Sequence, residues 1–373
     1  MIYLDNSATT PVTEPVLEAM LPYFNEFYGN PSSQYKAGKV AKAAIIKARE
    51  QFAKAINAEP EQIFFTSGAT ESNNLVRRFF IRKRYFSENN IFVSSYEHPS
   101  MKSKDDIVII NEEHYRNNTD ARRGRFSDVL YSWQYVNSET GMIFPIKEMA
   151  EMAHSQKGRF FHSDMTAAFG KVPIDVKDLD VDFASFSGHK FHAPKGIGVL
   201  YIKEPDKFSS DIIGGGQEFG LRSGTENVPA IVGLGKAAEL YNYSDERNNI
   251  AIGIRLDIIR SLTQKLTCDF KILEDKGNNV TSILNIAFPN IEGESIMLVL
   301  DSKDICVSTG SACHSASLEA SPTVKSFNLP PEYEHGTIRI SFGENFRPDE
   351  IEYVTDEIAR ICNILTEIRK EKI

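Results

Sequence analysis

The sequence predicts an α/β protein: a large domain built on a mainly parallel sheet of about seven strands, and a smaller α+β domain beside it. Three observations carry this expectation. Apolar runs of strand composition alternate with helical stretches through the first half of the chain. A length of 373 residues exceeds what one core usually fills. After a long helical stretch from Arg247 to Leu266 the pattern changes to strand and helix mixtures with turn signals such as Asp275-Lys276-Gly277-Asn278.

The elements follow in order. Gln62-Ile63-Phe64-Phe65 is a short apolar run, Thr66-Ser67-Gly68-Ala69-Thr70 turns the chain, and Glu71 onward has helical character. Ile91 to Ser95, Ile107 to Ile110 and Val129 to Val136 have strand composition and end in polar residues. Phe160 to Asp164, Phe183 to Phe186 and Val199 to Ile202 complete the set, and an amphipathic helix from Pro348 to Lys372 closes the chain. The expected division is 14–260 for the large domain, with 1–13 and 261–373 forming the small one.

Composition limits the function classes. Hydrophobic residues make up 41% and charged residues 25%, the balance of a soluble globular protein. The N-terminus carries no basic segment followed by an apolar run, and no stretch of about 18 apolar residues occurs, so cytoplasm and no membrane are expected. A net charge of −9 argues against direct nucleic-acid binding. The basic clusters Arg77, Arg78, Arg82, Lys83, Arg84 and Arg122, Arg123, Arg125 then read as solvated faces. Four cysteines without C-x-x-C spacing form neither a disulfide framework nor a zinc site, and no metal is expected.

Several residues have chemistry to offer. Gly68, Ala69 and Thr70 open a helix, where free N–H groups and the helix dipole favour a phosphate. Ser187-Gly188-His189-Lys190 follows an apolar strand, and a desolvated lysine there can form a Schiff base. Asp164 ends its strand at the edge where open α/β sheets hold ligands, although helix capping is the ordinary reading of such a residue. Cys313 lies in the small-residue loop Ser308-Thr309-Gly310-Ser311-Ala312-Cys313-His314-Ser315, which suits a mobile nucleophile. Cys306, inside Ile305-Cys306-Val307, suits packing, and Cys268 and Cys362 have no chemical neighbours in sequence.

These elements occur in an order and wording that resembles the cysteine desulfurases, a class-V branch of the fold-type I pyridoxal-phosphate enzymes. The matching motifs are Tyr3-Leu4-Asp5-Asn6-Ser7-Ala8-Thr9-Thr10-Pro11, Gly29-Asn30-Pro31-Ser32-Ser33, the Thr66 to Asn74 turn, Glu97-His98-Pro99 and Val136-Asn137. They continue through Asp164, Ser187 to Lys190, Arg222-Ser223-Gly224-Thr225, Ser311-Ala312-Cys313 and Ile338-Arg339-Ile340-Ser341. The resemblance implies pyridoxal 5'-phosphate bound to Lys190, with Asp164 at the ring nitrogen and His98 stacked on the ring and catalytic. Asn137 would lie beside the ring and help hold the substrate; Ala69, Thr70, Ser187 and His189 would bind the phosphate. Thr225 would reach the neighbouring subunit's site in a homodimer, and Arg339 would grip the carboxylate of L-cysteine. Sulfur would pass to Cys313 as a persulfide and on to an acceptor protein, with L-alanine released.

Two departures from the family stand out. Where the family has Asp-x-x-Gln, this sequence has Asp164-Met165-Thr166-Ala167, so the donor to the ring oxygen is missing. The stretch between His98 and Asn137 is short and polar, Asn117 to Arg125 especially, which suggests a dedicated acceptor. Iron–sulfur assembly, tRNA thiolation and DNA phosphorothioation are the destinations the resemblance leaves open. The alternatives are a selenocysteine lyase or aminotransferase on the same fold, or a silent partner subunit that uses the fold for docking.

Overall fold

The computed structural model describes residues 1–82, 90–102, 108–111, 115, 128–210, 212–275, 277–309 and 321–370. The chain divides into two compact units: Thr10–Tyr135 with Phe144–Tyr243, and Met1–Thr9 with Val136–Ile143 and Ser244–Ile373.

The larger unit is built on seven strands: β2 (Ile63–Thr66), β3 (Ile91–Ser94), β4 (Val108–Ile110), β5 (Val129–Ser132), β6 (Arg159–Asp164), β7 (Phe183–Ser187) and β8 (Gly198–Ile202). Their order is β2-β8-β7-β6-β5-β3-β4. All pairs are parallel except those of β8, which runs antiparallel to both β2 and β7. The apolar runs become strands because a parallel sheet covered on both faces buries alternate side chains on each. Phe64, Ile91, Val93, Leu130, Phe183 and Leu200 form one such core with Leu75, Val76, Phe79 and Phe80 of the helix Ala69–Arg82. The ends of β2, β3, β6 and β7 share one edge, and the start of β8 lies there too, since Gly198 pairs with both Thr66 and Ser187.

The smaller unit holds a parallel pair, β1 (Ile2–Tyr3) with β11 (Ile305–Cys306), and a four-stranded antiparallel sheet. That sheet has the order β12 (Ser308–Thr309), β13 (Thr337–Ser341), β10 (Ile283–Ala287), β9 (Lys271–Ile272). Its core joins Leu284, Ile286, Ile338 and Ile340 to Ile254, Ile258 and Leu262 of the helix Asp245–Lys265 and to Val354, Ile358 and Ile361 of the helix Ile351–Lys370. Among the described residues no helix is long and apolar enough to cross a membrane.

Three expectations shift. The smaller unit begins at Ser244 rather than 261, because the buried face of the helix Asp245–Lys265 packs into the smaller unit's core. It also takes in Val136–Ile143, where Val136 bridges to Ile143 and Met142 to Asn279. For the same reason β5 ends at Ser132 instead of Val136, although Trp133 and Tyr135 still donate to the carbonyls of His162 and Asp164. Cys306 is half-buried rather than packed away, while Cys362 is fully enclosed with Cys268 against the same core.

Candidate active site

In the larger unit, Ala69, Thr70, Asp164, Ser187, His189 and Lys190 stand at the carboxyl edge of the sheet. The turn after β2 enters the helix Ala69–Arg82, and the N–H groups of Ala69, Thr70 and Glu71 fall in its first turn, before any intrahelical acceptor exists. Gly68 has φ +152°, and a Cβ there would find only Ser187 Oγ within 4 Å, at 3.6 Å. A Cβ on Gly198 would lie 2.5 Å from Gly68 Cα, so the close approach of these backbones needs a glycine at 198, while at Gly68 it is the positive φ that favours glycine. The result is a small cradle of N–H groups and a hydroxyl. Pyridoxal phosphate fits this feature, since its phosphate needs such donors.

Asp164 closes β6 and is buried. Its Oδ2 accepts from Asn73 Nδ2 at 2.8 Å and its Oδ1 from the Thr166 N–H at 3.0 Å. The Thr166 contact is a turn bond rather than a helix cap, since among the described residues no helix follows β6 before β7, and it uses one oxygen. Lys190 ends the turn Gly188–Lys190 that follows β7, the neighbour of β6. Two more titratable groups feel its charge. Burial, then the charges of Lys190 and Lys195, pushes the His189 imidazole down to about 4, so it is neutral at physiological pH. Burial and the Lys190 charge push the Lys171 amine down to about 8. The backbone carbonyl of His189 is fixed by the N–H and hydroxyl of Thr10, at 2.8 and 2.9 Å.

Behind Asp164 runs a buried chain: Glu97 Oε1 accepts from Ser132 Oγ at 2.9 Å, Ser132 Oγ meets His162 Nδ1 at 2.7 Å, and His162 Nε2 meets Ser185 Oγ at 2.9 Å. Burial, reinforced by the Asp164 charge, pushes the Glu97 carboxyl up to about 8. Burial pushes His162 down, against the pull of Asp164. Both groups are thus neutral near pH 7, and the chain adds no charge beside Asp164. His98, four residues past the end of β3, is exposed, with Ser100 Oγ 2.8 Å from its Nδ1.

Arg339 and Asn137 belong to the smaller unit. Arg339 is 5% exposed. Its guanidinium donates to Asp5 Oδ1 at 2.6 Å and to the Ser138 carbonyl at 3.0 Å, and Nε is buried without a partner among the described residues. The Asn137 side chain is engaged by its own turn: Oδ1 accepts from Glu139 N, Thr140 N and Thr140 Oγ1, and Nδ2 donates to Thr323 Oγ1 at 3.2 Å. Thr225 is exposed on a loop of the larger unit. Cys313, with Ser311 and Ala312, and the Asn117 to Arg125 stretch lie outside the described residues. Among the described residues no cluster of His, Cys, Asp or Glu could hold a metal.

The aminotransferase class-V family matches residues 2–354. The chain belongs to that family. Curated relatives named cysteine desulfurase IscS match the chain nearly end to end. The protein from Methanosarcina thermophila is 40% identical over 383 residues, covering 98% of this chain and 92% of its own. The protein from Dictyoglomus turgidum is 37% identical, covering 100% and 97%. Among solved structures, a NifS-like protein superposes with a TM-score of 0.85 at 30% identity, covering 98% of this chain and 99% of that one. A chain titled SspA in complex with cysteine gives 0.78 at 30% identity, covering 92% and 99%.

Sequence reasoning found the strand-end residues of this class-V chain but missed Asn73, Ser100, Lys171 and Asp5. Asn73 and Asp5 lie within motifs quoted for the resemblance, and nothing in their neighbours marks what they touch.

Proposed function

We propose that the chain binds pyridoxal 5'-phosphate at the carboxyl edge of its seven-stranded sheet, takes sulfur from L-cysteine, releases L-alanine, and passes the sulfur through a persulfide on Cys313 to an acceptor protein. The enzyme is a pyridoxal-phosphate-dependent cysteine desulfurase of the class-V family. The observation that carries the reading is end-to-end similarity to desulfurases in a chain whose Asp164 and Lys190 stand on adjacent strand ends.

Bound cofactor supplies an aldehyde and an electron-withdrawing ring that stabilises negative charge on the adjacent carbon. Lys190 would hold it covalently and, once freed, would move the proton at the cysteine α-carbon. Asp164 would keep the ring nitrogen protonated. The Ala69 and Thr70 N–H groups, Ser187 and neutral His189 would bind the phosphate, and His98 would serve the ring face. Asn137 would help to hold the substrate. Two of the five N–H bonds of Arg339 are committed to Asp5 and Ser138, leaving three for a substrate carboxylate. The Cys313 thiolate attacks the substrate sulfur; the new S–S bond forms as the carbon–sulfur bond breaks, and its electron pair stays with the carbon that becomes alanine's methyl. Ala167 offers no donor to the ring oxygen, and Thr166 Oγ1, buried and unpartnered among the described residues, is the nearest hydroxyl in sequence.

The unit of function is a homodimer. Leu17, Leu21, Phe24 and Tyr28 stand exposed near the start of the larger unit, an apolar stretch that a second copy would cover, and exposed Thr225 is available to a partner's phosphate.

The test is to supply cofactor and cysteine and follow the yellow absorbance, alanine and protein-bound sulfur. Lys190→Ala is expected to lose the absorbance and all alanine. Cys313→Ser is expected to keep the absorbance and lose both persulfide and sustained alanine release, whereas Cys306→Ser keeps all three. Persulfide mapped to Cys306, or full turnover from Cys313→Ser, overturns the mechanism.

A further inference from the structure

A hydrogen-bonded chain whose donors point outward from Asn73 joins Asp164 to His98. Asn73 is fully buried in the helix Ala69–Arg82. Its Nδ2 donates to Asp164 Oδ2 at 2.8 Å and to Ser100 Oγ at 2.9 Å, which uses both of its hydrogens. Ser100 Oγ, having accepted from Asn73, lies 2.8 Å from His98 Nδ1 and is left with its own proton to give. The Ser100 backbone N–H also points at His98 Nδ1, at 3.1 Å. A backbone N–H can only donate, so His98 Nδ1 is the acceptor and the ring proton sits on Nε2. The amide of Asn73 cannot be reversed: its Oδ1, which has no partner among the described residues, would then face the Asp164 carboxylate and the bond to it would be lost.

We propose that Asn73 and Ser100 are positioning residues that couple the ring-facing carboxylate of Asp164 to His98 and hold the imidazole as its Nε2–H tautomer. A proton on Nδ1 would collide with the Ser100 N–H. Proton exchange at His98 therefore runs through Nε2 alone, and the ring stays neutral beside a cofactor ring that Asp164 keeps cationic. Two like-charged rings in contact would repel, and the chain prevents this by leaving Nδ1 no room for a proton. The titratable groups around this segment, among the described residues, are Asp164 on β6, Glu97 beside His98 in sequence and neutral near pH 7, and Lys102 on the turn that follows, whose Nζ donates to the Ser95 carbonyl at 2.7 Å. The inference rests on the reading of His98 as the residue at the ring face.

Nitrogen-15 NMR of histidine-labelled protein, with and without cofactor, tests it. The wild type is expected to show His98 with Nδ1 unprotonated in both forms. Asn73→Ala touches Asp164 and Ser100 but not His98, yet it is expected to shift the His98 Nδ1 resonance. Ser100→Ala is expected to shift it further and to lower kcat about tenfold, with KM for cysteine within about twofold, as loss of one positioning bond implies. Ser100→Thr, which keeps the hydroxyl, is expected to restore the wild-type resonance. A His98 proton found on Nδ1, or His98 resonances unmoved by Asn73→Ala, overturns the proposal. A chain that makes no alanine from cysteine yet gives the expected resonances overturns the activity while supporting the positioning.

Discussion

Asp164 in the larger unit and Arg339 in the smaller are both deeply buried charged side chains, 7% and 5% exposed, but they are held in opposite ways. The Asp164 carboxylate accepts from an amide and a backbone N–H, both neutral, and forms no ion pair among the described residues. The nearby Glu97–Ser132–His162–Ser185 chain is neutral as well, because burial pushes Glu97 up to about 8 and His162 down. Arg339 has its counter-ion built in, Asp5 at 2.6 Å. A buried charge is costly unless something compensates it. On the proposed reading, the compensation at Asp164 is left to a cationic ring nitrogen, whereas at Arg339 it comes from the chain and a ligand would add to it. The first site would then gain much from its ligand; the second would discriminate by geometry, through the N–H bonds that Asp5 and Ser138 leave unused.

Asp164→Asn breaks this comparison most sharply. It keeps the size of the side chain and removes its charge, so alanine formation is expected to fall by about 10³-fold, the upper end for removal of one electrostatic partner. The cofactor-free protein, in contrast, is expected to melt no lower than the wild type, since an uncompensated buried charge has gone. Thermal melts without cofactor check this. A clear drop in melting temperature would show that the carboxylate is compensated from within.

Substitutions at Arg339 should behave the other way. Arg339→Ala strands Asp5, and breaking such a pair costs about 3 kcal/mol in the folding of the protein itself, with or without cofactor. It is also expected to raise KM for cysteine about 100-fold while the bound chromophore is unchanged, because the role proposed for the guanidinium is towards the substrate and not the cofactor. Asp5→Asn separates the two effects. The guanidinium remains but loses its internal anion, so KM for cysteine is expected to fall by about two- to fivefold, as a freed charge-assisted donor binds a carboxylate more strongly. Initial-rate measurements on the two variants decide it, and a raised KM in Asp5→Asn would mean that Asp5 orients the guanidinium more than it competes for it.

This contrast was only half legible in the sequence. Asp164 and Lys190 could be found because each closes an apolar run, and runs of that kind become buried parallel strands whose ends face one edge. The seven strands were legible for the same reason, apart from the end of β5, where Val136 pairs with Ile143 instead of extending the sheet. What each charge touches was not legible. Asn73 meets a carboxylate 91 residues away, and Asp5 meets an arginine 334 residues away. No periodicity or local composition encodes such pairs, which depend on where the folded strands finally lie. The domain boundary was misplaced by a similar ambiguity: the helix Asp245–Lys265 carries a buried face, but the sequence does not say which core receives it.

His154 supplies a reference case for both sites, a charge pair with no ligand in prospect. It ends the helix Ile146–His154, with Asp180 and Asp182 each 2.8 Å from a ring nitrogen. The bond to Asp182, against an opposing contribution from burial and helped by the charges of Asp182 and Asp180, raises its pKa above the ordinary 6.5. A raised histidine pKa means that the folded state binds the proton more tightly than the unfolded chain. Its stabilisation is therefore complete below about pH 6.5 and is lost as pH climbs through the higher folded value. The site is partly open to solvent, so the whole effect is expected to stay below about 1 kcal/mol. His154→Gln, which can still hydrogen-bond but cannot become charged, should remove it. Urea midpoints at pH 6 and pH 9 should lie closer together in the variant than in the wild type, the pH 6 value alone having fallen. If instead the wild type is the more stable at pH 9 by virtue of this residue, the imidazole is held neutral and the two aspartates do not act as its counter-ions.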